Sequence, residues 1–224
     1  ADATANACTT GSRTVVIATV NPIPSITGTT PGSVCGSGTV TLGATASSGT
    51  INWYAGPTGG TSLGTGPSFT TSNISTTTTY YVDATDNGCT TFTRTPVIAN
   101  VFQIPSITST TPGSICGSGI TNLSAITSAG TINWYDAPTG GTSLATGPTF
   151  TTPSIATTTT YYVDATENGC TSTTRTPVIA TVNIIPTITT TTPNSRCGTG
   201  TVTLGATASS GTINWYSSPT GGSI

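Results

Sequence analysis

The 224-residue sequence has very little charge: charged residues make up 4% of it, and it contains no His, Met or Lys. Four Arg residues scattered along the chain cannot form the basic stripe that nucleic-acid binding requires. No run of about twenty apolar residues is present, so the sequence predicts no insertion into a membrane. The N-terminus has neither the basic start nor the apolar core of a secretory signal, so a secreted chain would carry that signal upstream.

The missing residue types also argue against most kinds of catalysis and metal binding. Hydroxyl groups are abundant, but without His or Lys the sequence offers no base to activate one of them. The six acidic residues are spread out, so the sequence predicts neither a catalytic carboxylate pair nor a calcium site. The lack of His and of any CxxC spacing argues against zinc. We therefore expect no enzymatic activity, no metal and no cofactor.

Threonine is what the sequence has in excess, at about a quarter of all residues. Thr, Val, Ile, Tyr and Phe favour the pleated, half-buried surface of a β-sheet. In addition, 27 Gly and 15 Pro divide the chain into short segments. This composition predicts an all-β protein.

The chain is built from a repeat of about 81 residues. The segment 24–27 returns at 105–108 and, with one substitution, at 186–189. The segment 39–54 is identical to 201–216, two periods later. We divide the chain accordingly into the C-terminal strands of a preceding repeat, two complete repeats and the N-terminal part of a following repeat: residues 1–23, 24–104, 105–185 and 186–224.

Strict alternation predicts which side chains lie inside a repeat. Val40, Leu42 and Ala44 share one face of a strand, and Ile51 and Trp53 share one face of the next. About seven short strands, A to G, with Trp on strand C are typical of immunoglobulin-like or fibronectin-III-like β-sandwiches, here expected end to end. The Trp residues expected in the cores are Trp53, Trp134 and Trp215.

Most of the few charges fall in one hairpin of each repeat. Asn87-Gly88 predicts a two-residue type I′ turn, which would pair Tyr81 with Arg94. Asp83 then lies diagonal to Arg94 on the outward face. A charged ligand patch is one interpretation, but we favour a structural ion pair with Arg lying over Tyr, because the hairpin alone accounts for it. The second repeat has the same pair, Asp164 and Arg175.

Six cysteines in two series indicate an oxidising compartment, and two pairings are open. One lies within each repeat, Cys35–Cys89 and Cys116–Cys170. The other joins the A–B connection of one repeat to the F–G turn of the next, Cys35–Cys170. The A–B and F–G connections of a sandwich lie at opposite ends, about 25 Å apart, whereas bridged Cα atoms lie about 5–6 Å apart. We therefore favour Cys35–Cys170.

Both complete repeats contain five motifs: Cys-Gly-Xaa-Gly-Xaa-Xaa-Xaa-Leu (from Cys35 in the first), Gly-Thr-Ile-Asn-Trp-Tyr, Thr-Gly-Gly-Thr-Ser-Leu, Thr-Thr-Thr-Thr-Tyr-Tyr-Val-Asp-Ala-Thr and Asn-Gly-Cys-Thr. Together they resemble the Ig-like repeats of very large secreted proteins of Bacteroidota. Proteins with such repeats are similar to cell-surface adhesins exported by the type IX secretion system, including the adhesin filament of gliding flavobacteria. The resemblance implies an extracellular, cell-surface location and a role in surface attachment and gliding motility.

Two functions are then open. The first is a structural stalk or filament segment, whose partners are neighbouring repeats of the same chain and, by lateral association, other copies. The alternative is a polysaccharide-binding module repeated for avidity, with a glycan or external surface as partner. Alternation places Trp53 in the core and leaves Tyr54 as a single exposed aromatic ring, which is a poor sugar-stacking platform. We therefore favour the stalk.

Overall fold

The computed structural model describes residues 1–220, and the regular secondary structure in that range is entirely β. The described residues include no helix that is long and apolar enough to cross a bilayer. The chain forms two compact units, one spanning Ala1–Ile104 and the other beginning at Pro105. The first unit opens with a short antiparallel hairpin, β1 (Thr4–Ala5) and β2 (Cys8–Thr9).

A two-layer β-sandwich follows in the first unit. One sheet has the order β3-β5-β8, and the other has the order β4-β11-β9-β6-β7, with β10 also paired to β9. Only β4 and β11 run parallel among these described pairs, with Gly32–Cys35 opposite Ala99–Phe102. The strands are β3 (Ile26–Thr30), β4 (Gly32–Cys35), β5 (Thr41–Ala46), β6 (Thr50–Tyr54), β7 (Gly64–Thr65), β8 (Ser68–Thr70), β9 (Thr78–Asp86), β10 (Cys89–Thr90) and β11 (Thr95–Phe102).

The second unit repeats this topology strand for strand. Its sheets have the orders β12-β14-β17 and β13-β20-β18-β15-β16, with β19 paired to β18. Its sandwich strands are β12 (Ile107–Thr111), β13 (Gly113–Cys116), β14 (Asn122–Thr127), β15 (Thr131–Tyr135), β16 (Ala145–Thr146), β17 (Thr149–Thr151), β18 (Thr159–Glu167), β19 (Cys170–Thr171) and β20 (Thr176–Asn183). Beyond them an antiparallel pair is formed by β21 (Ile188–Thr192) and β22 (Gly205–Ala208).

Trp53 lies at the centre of the first core and is fully buried. Its indole ring stacks on Phe69 with the ring centroids 5.5 Å apart, and its Nε1 donates to the Gly66 carbonyl at 2.9 Å. Trp134 is equally buried and makes the same two contacts in the second unit. The inward side chains of the neighbouring strands are buried too, as alternation predicts: Val40, Leu42, Ala44 and Ile51.

Trp215 departs from the expectation that it lies in a core, since 51% of its surface is exposed. In the complete repeats the Trp strand pairs with a long neighbour, as Trp53 does with Val82 on β9. Residues 186–220 form only the β21–β22 pair, so no described strand covers Trp215. Alternation therefore predicts the inward face correctly, but burial requires the strands that complete the sandwich.

Each sandwich has more strands than the seven expected. The segment after β3 passes Pro31, which has no N–H to continue the ladder with β5, and moves to the opposite sheet as β4. The sequence predicted a connection here. The short strand β7 begins just after Leu63, which is 47% exposed.

Two glycines in left-handed backbone conformations offer a matched test of the fold. Gly49 and Gly88 have φ values of 80° and 79°. A Cβ at Gly49 would lie 2.3 Å from the Thr85 carbonyl oxygen, whereas nothing lies within 4 Å at Gly88. Gly88→Ala is expected to cost about 1–2 kcal/mol of unfolding free energy. Gly49→Ala should cost roughly 3 kcal/mol or more, because the backbone must also move. Equal losses in urea titrations of the two variants would contradict this.

Candidate functional site

The strongest polar constellation of each repeat is centred on one arginine. Arg94 Nε donates to Asp83 Oδ2 at 3.2 Å, and the two side chains are only 13% and 6% exposed. Arg94 Nη1 donates to the carbonyl oxygens of Gly56 and Gly59 at 2.9 and 2.7 Å. The guanidinium carbon lies 3.2 Å from the centroid of the Tyr54 ring. One side chain thus joins strand β9, strand β6 and the loop after β6; we call this set the arginine clamp.

The clamp lies on the outward face of the sheet, as the hairpin predicted, but it differs from the predicted pair in two respects. The ion pair is buried, and the ring beneath the guanidinium belongs to Tyr54 rather than Tyr81. The cause is a shift in register after the turn. Cys89 pairs with Asp86 as a two-residue turn requires, but from Thr95 onwards the pairing is displaced by two residues.

The displacement arises in the segment between β10 and β11. Thr91 N–H donates to the Ala84 carbonyl at 3.0 Å, and its hydroxyl accepts from the Ala84 N–H at 2.9 Å. The next residues are looped out, leaving Phe92 86% exposed. Arg94 therefore enters beside Asp83, on the face of the sheet that points away from the core. Asp83 Oδ1 also accepts from Asn52 Nδ2 at 3.0 Å, so both carboxylate oxygens have partners.

The second repeat contains an equivalent clamp. Arg175 Nε lies 3.3 Å from Asp164 Oδ2, and its Nη1 donates to the carbonyls of Ala137 and Gly140, both at 2.8 Å. Tyr135 supplies the ring, again 3.2 Å from the guanidinium carbon. The corresponding pair in the N-terminal segment, Asp2 and Arg13, is 3.1 Å apart but exposed.

The chemistry of the clamp is that of a structural contact. A ligand-binding Arg must present free donors and an open ring face. In both complete repeats Nε, Nη1 and the guanidinium face are already occupied by protein groups. Among residues 1–220, no group of three or more His, Cys, Asp or Glu could hold a metal ion, and no buried side-chain polar atom lacks a partner. The clamp therefore orders the loop after β6 against the sheet.

The cysteines fall into two chemical states. Cys35, at the end of β4, and Cys170, at the start of β19, are each disulfide-bonded. The other four described cysteines are free thiols: Cys8, Cys89, Cys116 and Cys197. Sequence reasoning assigned Cys35 to a connection, whereas it is the last residue of a strand.

The geometry of the first unit alone opposes a bridge within the repeat. Cys35 lies opposite Phe102, three residues beyond the position at which Ala99 pairs with Thr78. Cys89 lies opposite Asp86, at the other end of β9. Along the strands, the two cysteines are roughly 35 Å apart. A disulfide requires Cα atoms within about 7 Å, so Cys35–Cys89 does not fit this sandwich.

One titratable group outside the clamp is perturbed. Burial raises the pKa of the Tyr161 phenol above its usual value of 10.0, and the negative charge of Asp136 raises it further. A phenol with a raised folded pKa keeps its full contribution to stability below about pH 10 and loses it as the pH rises further. The first repeat has Ala55 in place of Asp136.

We expect Asp136→Ala to lower the pKa of Tyr161, because the variant removes the nearby negative charge. The alkaline absorbance titration of tyrosine should therefore begin at lower pH than in the unchanged chain. Asp86→Ala serves as the control, since no interaction of that carboxylate with Tyr161 is present. Superimposable curves for Asp136→Ala and the unchanged chain would contradict the assignment.

The strand orders and the buried Trp define the chain as a tandem array of immunoglobulin-like β-sandwich domains, and the predicted fold class is confirmed. The chain belongs to the family described as Ig-like domain CHU_C associated, which matches residues 23–102 and 103–183. Domains of this type are typically structural modules rather than enzymes, and the family and the disulfide are consistent with an extracellular location. No curated protein sequence is significantly similar to the chain.

Solved structures similar to this chain include several multidomain proteins. The fibronectin(III)-like modules of Clostridium thermocellum CbhA are 14% identical, with a TM-score of 0.43, over 72% of this chain and 95% of theirs. Domains 3–5 of Drosophila OTK are 13% identical, with a TM-score of 0.43, over 71% of this chain and 62% of theirs. The FN1–FN3 domains of chicken CNTN1 are 12% identical, with a TM-score of 0.38, over 72% and 65%. Nothing about function follows from similarities at this level.

Proposed function

We propose that this chain is a stalk or filament segment of a large, repetitive cell-surface adhesin, used in surface attachment and gliding. The observation that carries the proposal is the repetition of one sandwich whose central ion pair contacts other groups of the same repeat. The two complete units share every sheet pairing and the arginine clamp, and in both clamps Nε, Nη1 and one face of the guanidinium contact protein groups. The proposed partners are neighbouring repeats and, through the sparsely charged, hydroxyl-rich surface, other copies of the same filament.

The alternative function, a polysaccharide-binding module, receives less support from the same residues. Sugar recognition relies on open aromatic faces, and one face of Tyr54 is covered by the Arg94 guanidinium. An open groove of about 450 Å³ recurs in both repeats, but its walls contain only Ala, Ser, Thr, Ile, Gly and Pro. Neither place offers an aromatic platform combined with oriented polar groups.

Two measurements on the full chain separate these functions. A glycan array probed at micromolar concentration should give no signal for a stalk segment. An antibody raised against residues 1–224 should label intact cells of the producing organism, and shaving those cells with protease should remove the label. Micromolar binding to a defined polysaccharide would overturn the stalk in favour of the binding module. Labelling only after the cells are permeabilised would contradict the surface location.

We further propose that consecutive repeats are joined by a Cys35–Cys170 disulfide. Both residues are disulfide-bonded, and the Cys35–Cys89 bridge does not fit one sandwich. Within the first unit, Gly36 packs on Ile104: a Cβ on Gly36 would lie 3.1 Å from Ile104 Cδ1. Within the second unit, the Ser172 hydroxyl donates to the Pro105 carbonyl at 2.9 Å.

Each contact involves a residue near one of the two cysteines and a residue at the boundary between the repeats, which supports the pairing. Cys35 precedes Gly36, Cys170 lies two residues before Ser172, and Ile104 and Pro105 are consecutive. Consecutive Cα atoms are only about 3.8 Å apart, so the two contacts together support the pairing. Non-reducing peptide mapping should yield one cross-linked peptide containing Cys35 and Cys170. A peptide joining Cys35 to Cys89 would refute the proposal.

A further inference from the structure

The proposed junction disulfide, on which this inference rests, changes which parts of a repeat are under tension when the array is pulled. In an array bridged in this way at every junction, covalent links would reach a repeat such as the first at four points. The backbone enters at Pro24 and leaves at Ile104, while the two cysteine positions are Cys35 and Cys89. Two short segments connect these points, 24–35 and 89–104. We call them the rails.

The rails run side by side through the sandwich. Residues 24–35 contain β3 and β4, and residues 89–104 contain β10 and β11. Strands β4 and β11 pair in parallel, with Gly32–Cys35 opposite Ala99–Phe102. The side chain of Asn100 adds a hydrogen bond to the Gly32 carbonyl at 3.4 Å. The two rails are therefore held to each other by a ladder of hydrogen bonds as well as by the core.

The rest of the repeat lies between the rails in sequence. Residues 36–88 contain β5 to β9, including Trp53 and most of the buried core. When both ends of this segment are fixed by cross-links to neighbouring repeats, pulling on the array cannot lengthen it. In chain 1–224 the Cys35–Cys170 bridge alone encloses the segment 36–169, which closes a loop of about 134 residues.

The four free thiols occupy the same two positions of the repeat as the disulfide-bonded cysteines. Cys8 and Cys89 stand at the position of Cys170, and Cys116 and Cys197 stand at the position of Cys35, each displaced by one or two periods of the repeat. Their equivalents are disulfide-bonded in this chain. In a longer array bridged from each repeat to the next, each of these four thiols would pair with a cysteine outside the two complete repeats.

We infer that the junction disulfides turn the array into two covalent rails that bear the load, with the β5–β9 part of every sandwich shielded from extension. Each rail crosses one repeat as the β3–β4 segment and the next as the β10–β11 segment. An unbridged repeat can extend to about 280 Å, whereas a bridged repeat is limited to about 50 Å. The filament would then resist stretching even when individual domains open.

Single-molecule force spectroscopy on the full chain, held at its two ends, tests this inference. The oxidised chain should extend only to the length of about 90 residues, because the bridge encloses the remaining segment, 36–169. Reduction with dithiothreitol under load should release about 45 nm. The double variant Cys35→Ser/Cys170→Ser should extend fully without reduction, whereas Cys89→Ser/Cys116→Ser should behave like the unchanged chain.

Two results would overturn the inference. An oxidised chain that reaches its full length has no load-bearing bridge. A release of only about 36 nm would indicate bridges within repeats, which enclose about 53 residues each. These results are independent of the proposed function. Glycan binding or failure to label cells would remove the stalk role and leave the measured extension unchanged, while a full-length oxidised chain would leave the surface location intact.

Discussion

Replacing Asp83 with Ala should lower the unfolding free energy of the first repeat by about 3–5 kcal/mol, the loss typical of breaking a buried ion pair from one side. The Arg94 side chain is only 13% exposed, so the variant leaves a buried guanidinium with no counter-charge. It also removes the nearest of the hydrogen-bond acceptors of Asn52 Nδ2. Urea titration of the reduced chain, followed by tryptophan fluorescence, should show the first repeat unfolding at lower denaturant, with the second repeat nearly unchanged.

The chain supplies its own control for this prediction. Asp2 and Arg13 form an ion pair of similar length, 3.1 Å, but the Arg13 side chain is 85% exposed. Asp2→Ala should therefore cost no more than about 1 kcal/mol. The double variant Asp83→Ala/Arg94→Met should recover much of the loss, because it leaves no unpaired buried charge. Equal losses for Asp83→Ala and Asp2→Ala would show that the clamp contributes little to stability.

Removing the proposed junction disulfide should lower the unfolding free energy by a similar amount, but for the pair of repeats rather than for one of them. On the chain-entropy account, a bridge that encloses about 134 residues stabilises the folded chain by about 5 kcal/mol. The bridge would span two repeats, so its loss should lower the stability of the pair and allow the repeats to unfold separately. Cys35→Ser, Cys170→Ser and reduction of the unchanged chain should all shift the unfolding midpoint in the same way.

The free thiols provide the matched comparison for the disulfide. Cys89 and Cys116 occupy equivalent positions in the other repeats and are unbridged. Serine at either position should leave the unfolding midpoint close to that of the unchanged oxidised chain. If Cys35→Ser has no larger effect than Cys116→Ser, the two repeats are not coupled through a disulfide. If Cys89→Ser has the effect expected of Cys35→Ser, the bridge lies elsewhere.

The features that sequence reasoning predicted well depend on local pattern. The position of Trp53 follows from period-two alternation, and an Asn-Gly turn is enough to pair Asp86 with Cys89. The features it missed depend on contacts between distant segments. Cys35 ends a strand only because β4 pairs with β11, which lies at the far end of the same repeat. The sequence of residues 31–35 by itself does not predict pairing with β11.

The sequence by itself determined that this protein is an all-β tandem array, because the period of the repeat and the alternation of side chains are properties of the chain read residue by residue. The tertiary structure decided how the few charges are used. Looping out the residues before Arg94 shifts the register by two and brings the guanidinium over Tyr54 and onto the Gly56 and Gly59 carbonyls. Those contacts join segments that are far apart in the sequence. They exist only when the sheet and the loop are both folded, which is why no local pattern could reveal them.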